Sequence, residues 1–446
     1  MLVVITSFIT PFLGASVNIA LPAMGAHFGM NAVTMSWVSM SYLLSSAVFL
    51  VPIGKAADMF GRVRVFIYGT IIVSVSSFLC AWAVSTEMLL AFRVIQGIGS
   101  AMMFGTNMAI VTSAFPPEQR GKAIGINVTA VYLGLSLAPV LGGLMTHHLG
   151  WQSIFLFIGP LVFLVALTGI VLLRMKPSET ARERFDYRGS LIYLFSMTAL
   201  MYGLSKLPDG YAIALTVAGA GGLVLFGRVE LKTVFPVFNM QLFLSNRLFA
   251  MSNIAALINY ATTFAVTFML SLYLQYIKGL SPRDAGLLLV VQPALMALVA
   301  SFSGRLSDRI RPGLISSAGL AVICAGLLLM TLIGRETSTP YLVVCLVILG
   351  IGFGLFSSPN TNAIMSSVEK KDLGIASATV ATMRLTGQMV SMAIATLVID
   401  IFVGNAVISA ANHEQFLHTI PVTFGIFIPL SLLGIWASLS RGKGSS

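Results

Sequence analysis

The first charged side chain in this sequence is Lys55. Everything before it falls into two apolar stretches, near residues 2–22 and 35–54. Each is long enough to cross the hydrocarbon core of a bilayer as a helix, which takes about 20 residues at about 1.5 Å each. Stretches of this kind recur to the end of the chain, fourteen in all, the last near 419–439. Only 9% of the 446 residues are charged, whereas a water-soluble domain carries roughly 25%. The apolar runs are long and show no dyad alternation, which favours helices over barrel strands as the structure that satisfies its own backbone in lipid. The sequence predicts an all-α polytopic membrane protein with fourteen transmembrane helices.

A formal charge of +11 would point to nucleic acid in a soluble protein. Here it has a simpler source. With the N-terminus inside, twenty Lys and Arg fall in loops on that side and four (Lys206, Lys278, Arg283, Arg335) on the other. That bias sets orientation in a bilayer, so both termini are expected in the cytoplasm of a cell-membrane protein that binds no nucleic acid. Cys80, Cys324 and Cys345 fall within spans, which implies no extracellular disulfide framework. The first span lacks a basic region before it and a separate short apolar region, so it does not read as a cleavable signal.

The scarce charge is concentrated in two matching places. "GKAADMFGRVR" (Gly54–Arg64) and "GRLSDRIRPG" (Gly304–Gly313) each put a glycine four residues before an acid ringed by arginines. A wider repeat accompanies them: "QGIGSAMMFGTN" (Gln96–Asn107) aligns with "LGIGFGLFSSPN" (Leu349–Asn360), pairing Gly97 with Gly350, Gly99 with Gly352 and Asn107 with Asn360. The offsets stay between 250 and 253, and both copies have one orientation, as in a parallel repeat about the membrane normal. Three segments follow: an N-terminal six-helix half over 1–175, a basic cytoplasmic linker with two extra spans over 176–235, and a C-terminal six-helix half over 236–446. Two such halves around a central path make an alternating-access transporter. Gly54 is expected to let a neighbouring helix approach closely, and Asp58 to pair with Arg62 four residues on. With Gly304, Asp308 and Arg309 they read as paired latches on the cytoplasmic side.

The first knot resembles the loop between spans two and three of the major facilitator superfamily, and the chain is similar to its fourteen-span drug/proton antiporter group. "WVSMSYLLSSAVFLVPIGKAAD" resembles that group's second span, "RVIQGIGSA" the fourth-span arginine motif, and "GLSLAPVLGG" (Gly134–Gly143) the fifth-span exporter motif, with Ala138 where glycine is usual. "NIALP" (Asn18–Pro22) and "RLTGQ" (Arg384–Gln388) match the first and thirteenth spans. The resemblance implies secondary active export of drugs or other amphipathic organic molecules in exchange for protons. The group commonly carries an acid in the first span, five residues before the asparagine; this chain has Leu13 there. The clearly intramembrane acid is instead Asp400, near the end of span thirteen.

Arg93 and Arg384 lie within spans, where each costs about 2.5–3.5 kcal/mol on insertion scales and is expected to face the interior. Helical spacing puts Arg93 on one face with Gln96, Gly97 and Ser100, and Arg384 with Gln388 and Ser391; neither shares its face with a carboxylate. Asn253, Tyr260 and Thr267 form a seven-residue polar stripe in span nine, and Asn18, Gln292 and Asn360 are further interior positions. Polar residues of this kind also serve simply as interhelical glue. Gly134, Pro139, Gly142 and Gly143 are expected to set a close helix contact. Two arginines and few acids suit an anionic or zwitterionic substrate, against the group's usual cations.

Nothing reads as an enzyme. The histidines of "HEQFLH" (His413–His418) are five apart, whereas a zinc helix needs four. "GLSLA" lacks the last glycine of a nucleophile elbow, and no phosphate-binding loop is present, so ATP does not drive it directly. No metal or cofactor is expected; the expected partners are a small-molecule substrate, protons and the bilayer. Two alternatives stand beside a proton-coupled exporter: an exporter or facilitator of an anionic or zwitterionic metabolite without proton antiport, and a non-transporting scaffold or sensor.

Overall fold

A computed structural model describes residues 2–115, 120–172, 185–207, 209–307, 309–369, 372–404 and 406–441. Asp308 and most of the basic linker lie outside the described residues. Within them every regular element is helical. In chain order these are α1 (Leu2–Phe28), α2 (Ala32–Phe60), α3 (Arg62–Ala81), α4 (Thr86–Ala114), α5 (Arg120–Leu149), α6 (Gln152–Leu172), α7 (Tyr187–Ser205) and α8 (Gly210–Glu230). After the short α9 (Met240–Ser245) come α10 (Arg247–Leu272), α11 (Pro282–Leu289), α12 (Val291–Leu306), α13 (Pro312–Met330), α14 (Thr339–Ser366), α15 (Leu373–Phe402) and α16 (His413–Leu439).

Thirteen stretches among the described residues are long and apolar enough to cross a bilayer, one fewer than expected. The difference is α7. It forms where the seventh span was expected, but it begins two residues early and takes in Arg188, and Ser190, Ser196 and Thr198 lower its mean hydropathy further. The expected tenth span, 285–303, is two helices. Pro293 has no N–H to give the Leu289 carbonyl, so α11 ends there and α12 begins at Val291. At the end of α10 the ladder widens into a π turn, Tyr273–Ile277, with Lys278 N donating to Tyr273 O at 3.1 Å.

Two compact units result. One comprises Met1–Gly14, Trp37–Gly134 and Trp151–Gln241. Its core joins Val3 of α1, Phe66 and Ile67 of α3, Ile110 and Val111 of α4, and Val165 of α6. The α7–α8 hairpin belongs to this unit and is tied to α2 where Tyr193 donates its hydroxyl to Ala47 O at 3.1 Å. Only 22% of the apolar window of α8 is buried, the smallest share of the thirteen, so the hairpin sits at the margin of its unit. The other unit comprises Ala15–Ser36, Leu135–Gly150 and Leu242–Ser446. It packs Phe249 of α10, Ile364 of α14 and Ala376 of α15.

With lipid as solvent, apolar surface gives helices little reason to associate, and close backbone approach takes over. The repeat shows how. Gly69 of α3 and Gly99 of α4 face each other so closely that a methyl on either would press on the other's carbonyl oxygen. Gly319 of α13 and Gly352 of α14 do the same in the other unit. The aligned glycines of the sequence repeat are thus one helix crossing made twice.

Candidate functional site

The first charged knot sits where α2 passes into α3. Arg62 Nε meets Asp58 Oδ1 at 2.6 Å, with each side chain a little under half exposed. Between them Gly61 takes φ 104°, a conformation L side chains rarely adopt, which is what lets α3 restart one residue after α2 stops. At Gly54 a neighbouring helix does come near, a methyl on Gly105 of α4 lying 3.6 Å from the Gly54 backbone, but a Cβ on Gly54 itself would meet nothing within 4 Å. Its counterpart Gly304 faces Ser358 Oγ. In the second knot Asp308 lies outside the described residues, and Arg309 is exposed.

Arg93 is 1% exposed and sits inside the first unit. Its Nε donates to Val38 O of α2 at 3.0 Å, and Nη1 donates to Gln96 Oε1 one turn along α4. Gln96 in turn donates to Ser77 Oγ of α3 at 2.8 Å. The guanidinium lies 4.4 Å from the centre of the Tyr42 ring, whose hydroxyl donates to Ser100 Oγ at 2.9 Å. The face shared by Arg93, Gln96, Gly97 and Ser100 is therefore the face on α2, and its charge is spread over amide, carbonyl and ring instead of meeting a carboxylate.

Arg384 differs in being half-buried. The Tyr260 hydroxyl of α10 reaches both its guanidinium and Ser357 of α14, and the Tyr260 ring packs edge-on against Phe353. Gln388, one turn along α15, is half-buried too, and Ser391 Oγ accepts from Ala265 N at 3.0 Å. Asp400 is half-buried on the same helix, and its carboxylate has no hydrogen bond or ion pair among the described residues. Asn253 is fully buried, its Nδ2 donating to Phe249 O at 2.9 Å while Oδ1 has no partner among the described residues. Gln292 is buried, its backbone carbonyl against Gly350.

The paired asparagines do one job. Asn107 Nδ2 reaches Val3 O of α1 at 3.4 Å and Ser7 Oγ at 2.6 Å. Asn360 Nδ2 donates to Ser252 O of α10 at 3.1 Å. Asn360 Oδ1 also accepts from Arg441 Nη2 at 2.6 Å. Arg441 reads in the sequence as a loop charge beyond the last span, yet it is 4% exposed, and burial pushes its guanidinium down to about 10. No hydropathy signal marks it.

The second unit holds a run of bonds between the later half of α1 and the start of α2, on one side, and the helices after residue 242. Ser271 Oγ donates to Asn18 O at 2.9 Å, Gln275 Nε2 to Ile19 O at 3.0 Å, and Thr396 Oγ1 to Ser36 Oγ at 2.8 Å. The fifth-span motif supplies the close contacts. Gly142 abuts Ser16, Gly143 abuts the Pro282 carbonyl, and Pro139 O abuts Gly286; within the first unit Gly134 abuts Phe8 O. A cavity of about 410 Å³ between α1 and α5, lined by Val4, Gly125, Ile126, Thr129, Ala130 and Leu133, contains none of the expected polar residues. Among the described residues no three of His, Cys, Asp and Glu gather as metal ligands.

The sequence profile of the Major Facilitator Superfamily matches residues 3–253 and again 252–443. The chain is 32% identical to the riboflavin transporter RibZ of Clostridioides difficile (strain 630) over 377 residues, 84% of this chain and 82% of that protein. It is 28% identical to the methylenomycin A resistance protein of Bacillus subtilis (strain 168) over 438 residues, 96% and 91% of the two chains. A solved structure of a bacterial homolog to the human lysosomal transporter Spinster superposes with a TM-score of 0.68 at 18% identity, covering 98% of this chain and 96% of that one.

Proposed function

The chain belongs to the Major Facilitator Superfamily and is a multi-pass membrane transporter, and from that premise we propose that it exports small amphipathic organic molecules by alternating access, with protons as the driving ion. The observation that carries the substrate reading is Arg384: a half-buried guanidinium far inside a span, held by Tyr260 beside Ser357 and Gln388. An aligned cation with hydroxyl and amide neighbours recognises a carboxylate or similar anionic group. We therefore assign anionic or zwitterionic molecules as the preferred cargo, with Arg384, Gln388, Tyr260 and Asn253 on the path. That one relative is named for riboflavin and another for methylenomycin A resistance agrees with organic cargo of modest size.

Asp400 is the proton carrier in this reading, because it is an intramembrane acid with no hydrogen bond or ion pair among the described residues. The bonds from Ser271, Gln275 and Thr396 close the side expected to face outward. Each contributes about 0.5–1.5 kcal/mol net, so together they form a barrier that cargo and proton occupancy can shift. On the side expected to be cytoplasmic, the Asp58–Arg62 knot serves the opposite closure.

Proteoliposomes carrying an imposed pH gradient test this. Uptake and efflux of an organic anion, a zwitterion and a lipophilic cation should show movement of the first two. Arg384→Gln should abolish it at unchanged protein level, and Asp400→Asn should remove the response to the gradient. Movement of the cation alone, indifferent to Arg384→Gln, would refute the substrate assignment. In the same vesicles Asp58→Asn should lower turnover without lowering the amount inserted; normal turnover would remove the knot from the mechanism.

A further inference from the structure

Two acids on the α7–α8 hairpin take no part in the path described above. Asp186 caps α7, its Oδ1 accepting from Gly189 N at 2.9 Å. Glu230 ends α8 at 3% exposure, and its Oε2 accepts from Phe238 N at 2.8 Å on the segment leading to α9. Their other oxygens, Asp186 Oδ2 and Glu230 Oε1, are buried with no donor among the described residues. Both oxygens press on one point, since a methyl on Gly189 would strike each of them, and the two side chains are within hydrogen-bonding distance. Among the described residues the charged group acting on Glu230 is Asp186. Arg188, Arg228 and Lys232 on the same elements are exposed, and Lys55 of α2 lies over the Phe235 ring.

Two buried acceptors in contact with no donor between them cannot both be ionised. Like charges at that separation in a medium of low dielectric repel strongly, and one proton relieves the repulsion while supplying the missing donor. We propose that Asp186 and Glu230 are a proton-binding site, holding one proton between Oδ2 and Oε1 and so clasping the two ends of the hairpin to the segment at Phe238. The proton comes from, and returns to, the aqueous phase on the side expected to be cytoplasmic. A single proton supplies the donor that neither oxygen has by itself. The clasp therefore holds at low pH, where that proton is bound, and is lost as pH rises and the proton leaves. This inference does not depend on the identity of the cargo.

The test uses the whole protein in nanodiscs. Infrared difference spectra across a pH series should show one protonated-carboxyl band that Glu230→Gln and Asp186→Asn each remove, because a single proton serves both residues. Asparagine is also a good helix cap, so the second variant keeps α7 in place. Hydrogen exchange at the Phe238 amide gives the second readout. In Glu230→Gln the new N–H donates permanently to Asp186, so the protection of Phe238 should lose the pH-dependent drop seen in the unsubstituted protein. A band that survives both substitutions, or is lost in only one, overturns the shared proton. Equal pH response of Phe238 in the two proteins overturns the clasp.

Discussion

Arg93→Leu is expected to lower the unfolding free energy of the protein in detergent by about 2–5 kcal/mol while easing membrane insertion of α4 by about 2.5–3.5 kcal/mol. The two effects oppose each other because they belong to different steps. Insertion sees one charged residue on a lone helix. The folded unit sees a guanidinium that gives hydrogen bonds to Val38 O and Gln96, and lies on the Tyr42 ring. Leucine leaves those buried acceptors unpaired at about 1–3 kcal/mol each, and forfeits a desolvated cation–π contact of about 2 kcal/mol. Loss of the charge's own burial penalty offsets part of that. Arg93→Lys should be nearly as damaging, since an ammonium cannot serve both acceptors while lying flat on the ring. Thermal melts beside a protease-protection assay of insertion separate the two steps. Unchanged melting in Arg93→Leu would mean the network does nothing for the fold. The repeat offset of 253 puts Leu346 at the corresponding place, so the second unit folds without such a residue.

Gly99→Val should destabilise by at least about 1–3 kcal/mol, the range for forcing volume into a packed contact, because the obstruction is backbone. A side chain at Gly99 meets Gly69 O at 2.9 Å and the branches of Ile72 and Val73 equally close, and no rotamer of α3 relieves a carbonyl. Gly352→Val should behave alike, against Gly319 O at 2.9 Å and Ile323 N at 2.8 Å. Gly14→Ala is the control, with nothing within 4 Å of the added carbon. Melting temperature and the yield of monodisperse protein report the outcome. If Gly99→Val melted with Gly14→Ala, the crossing of α3 and α4 would not be the contact on which the unit depends.

Hydropathy was legible because lipid imposes length and composition on each span separately. At α7 it placed the helix but not its start, because capping by Asp186 brings Arg188 inside the helix. The tenth span it marked is present as Pro282–Leu306, but the break between α11 and α12 inside that span was not legible, because one apolar run hides a missing backbone donor. Helical spacing grouped Arg93 with Gln96, Gly97 and Ser100 but left its partners unnamed, because Val38 and Tyr42 lie on another helix. Arg441 and Glu230 were missed for the same reason. Each stands at a span boundary where a charge usually meets water, and only packing by Asn360, or by Phe238 and Asp186, takes it out of water.

By itself the sequence determined that this chain is a helical membrane protein, that its halves repeat, and that glycines and asparagines recur at matched places. These follow from local rules: residues per span, charge per loop, period per helix. Tertiary structure decided which of the matched residues touch what. It made the glycines a crossing, gave Asn107 and Asn360 backbone targets on α1 and α10, and set the Gly54 backbone against Gly105 with the direction of its own Cβ empty. Those outcomes depend on distances between helices far apart in the chain, and no one-dimensional pattern contains them.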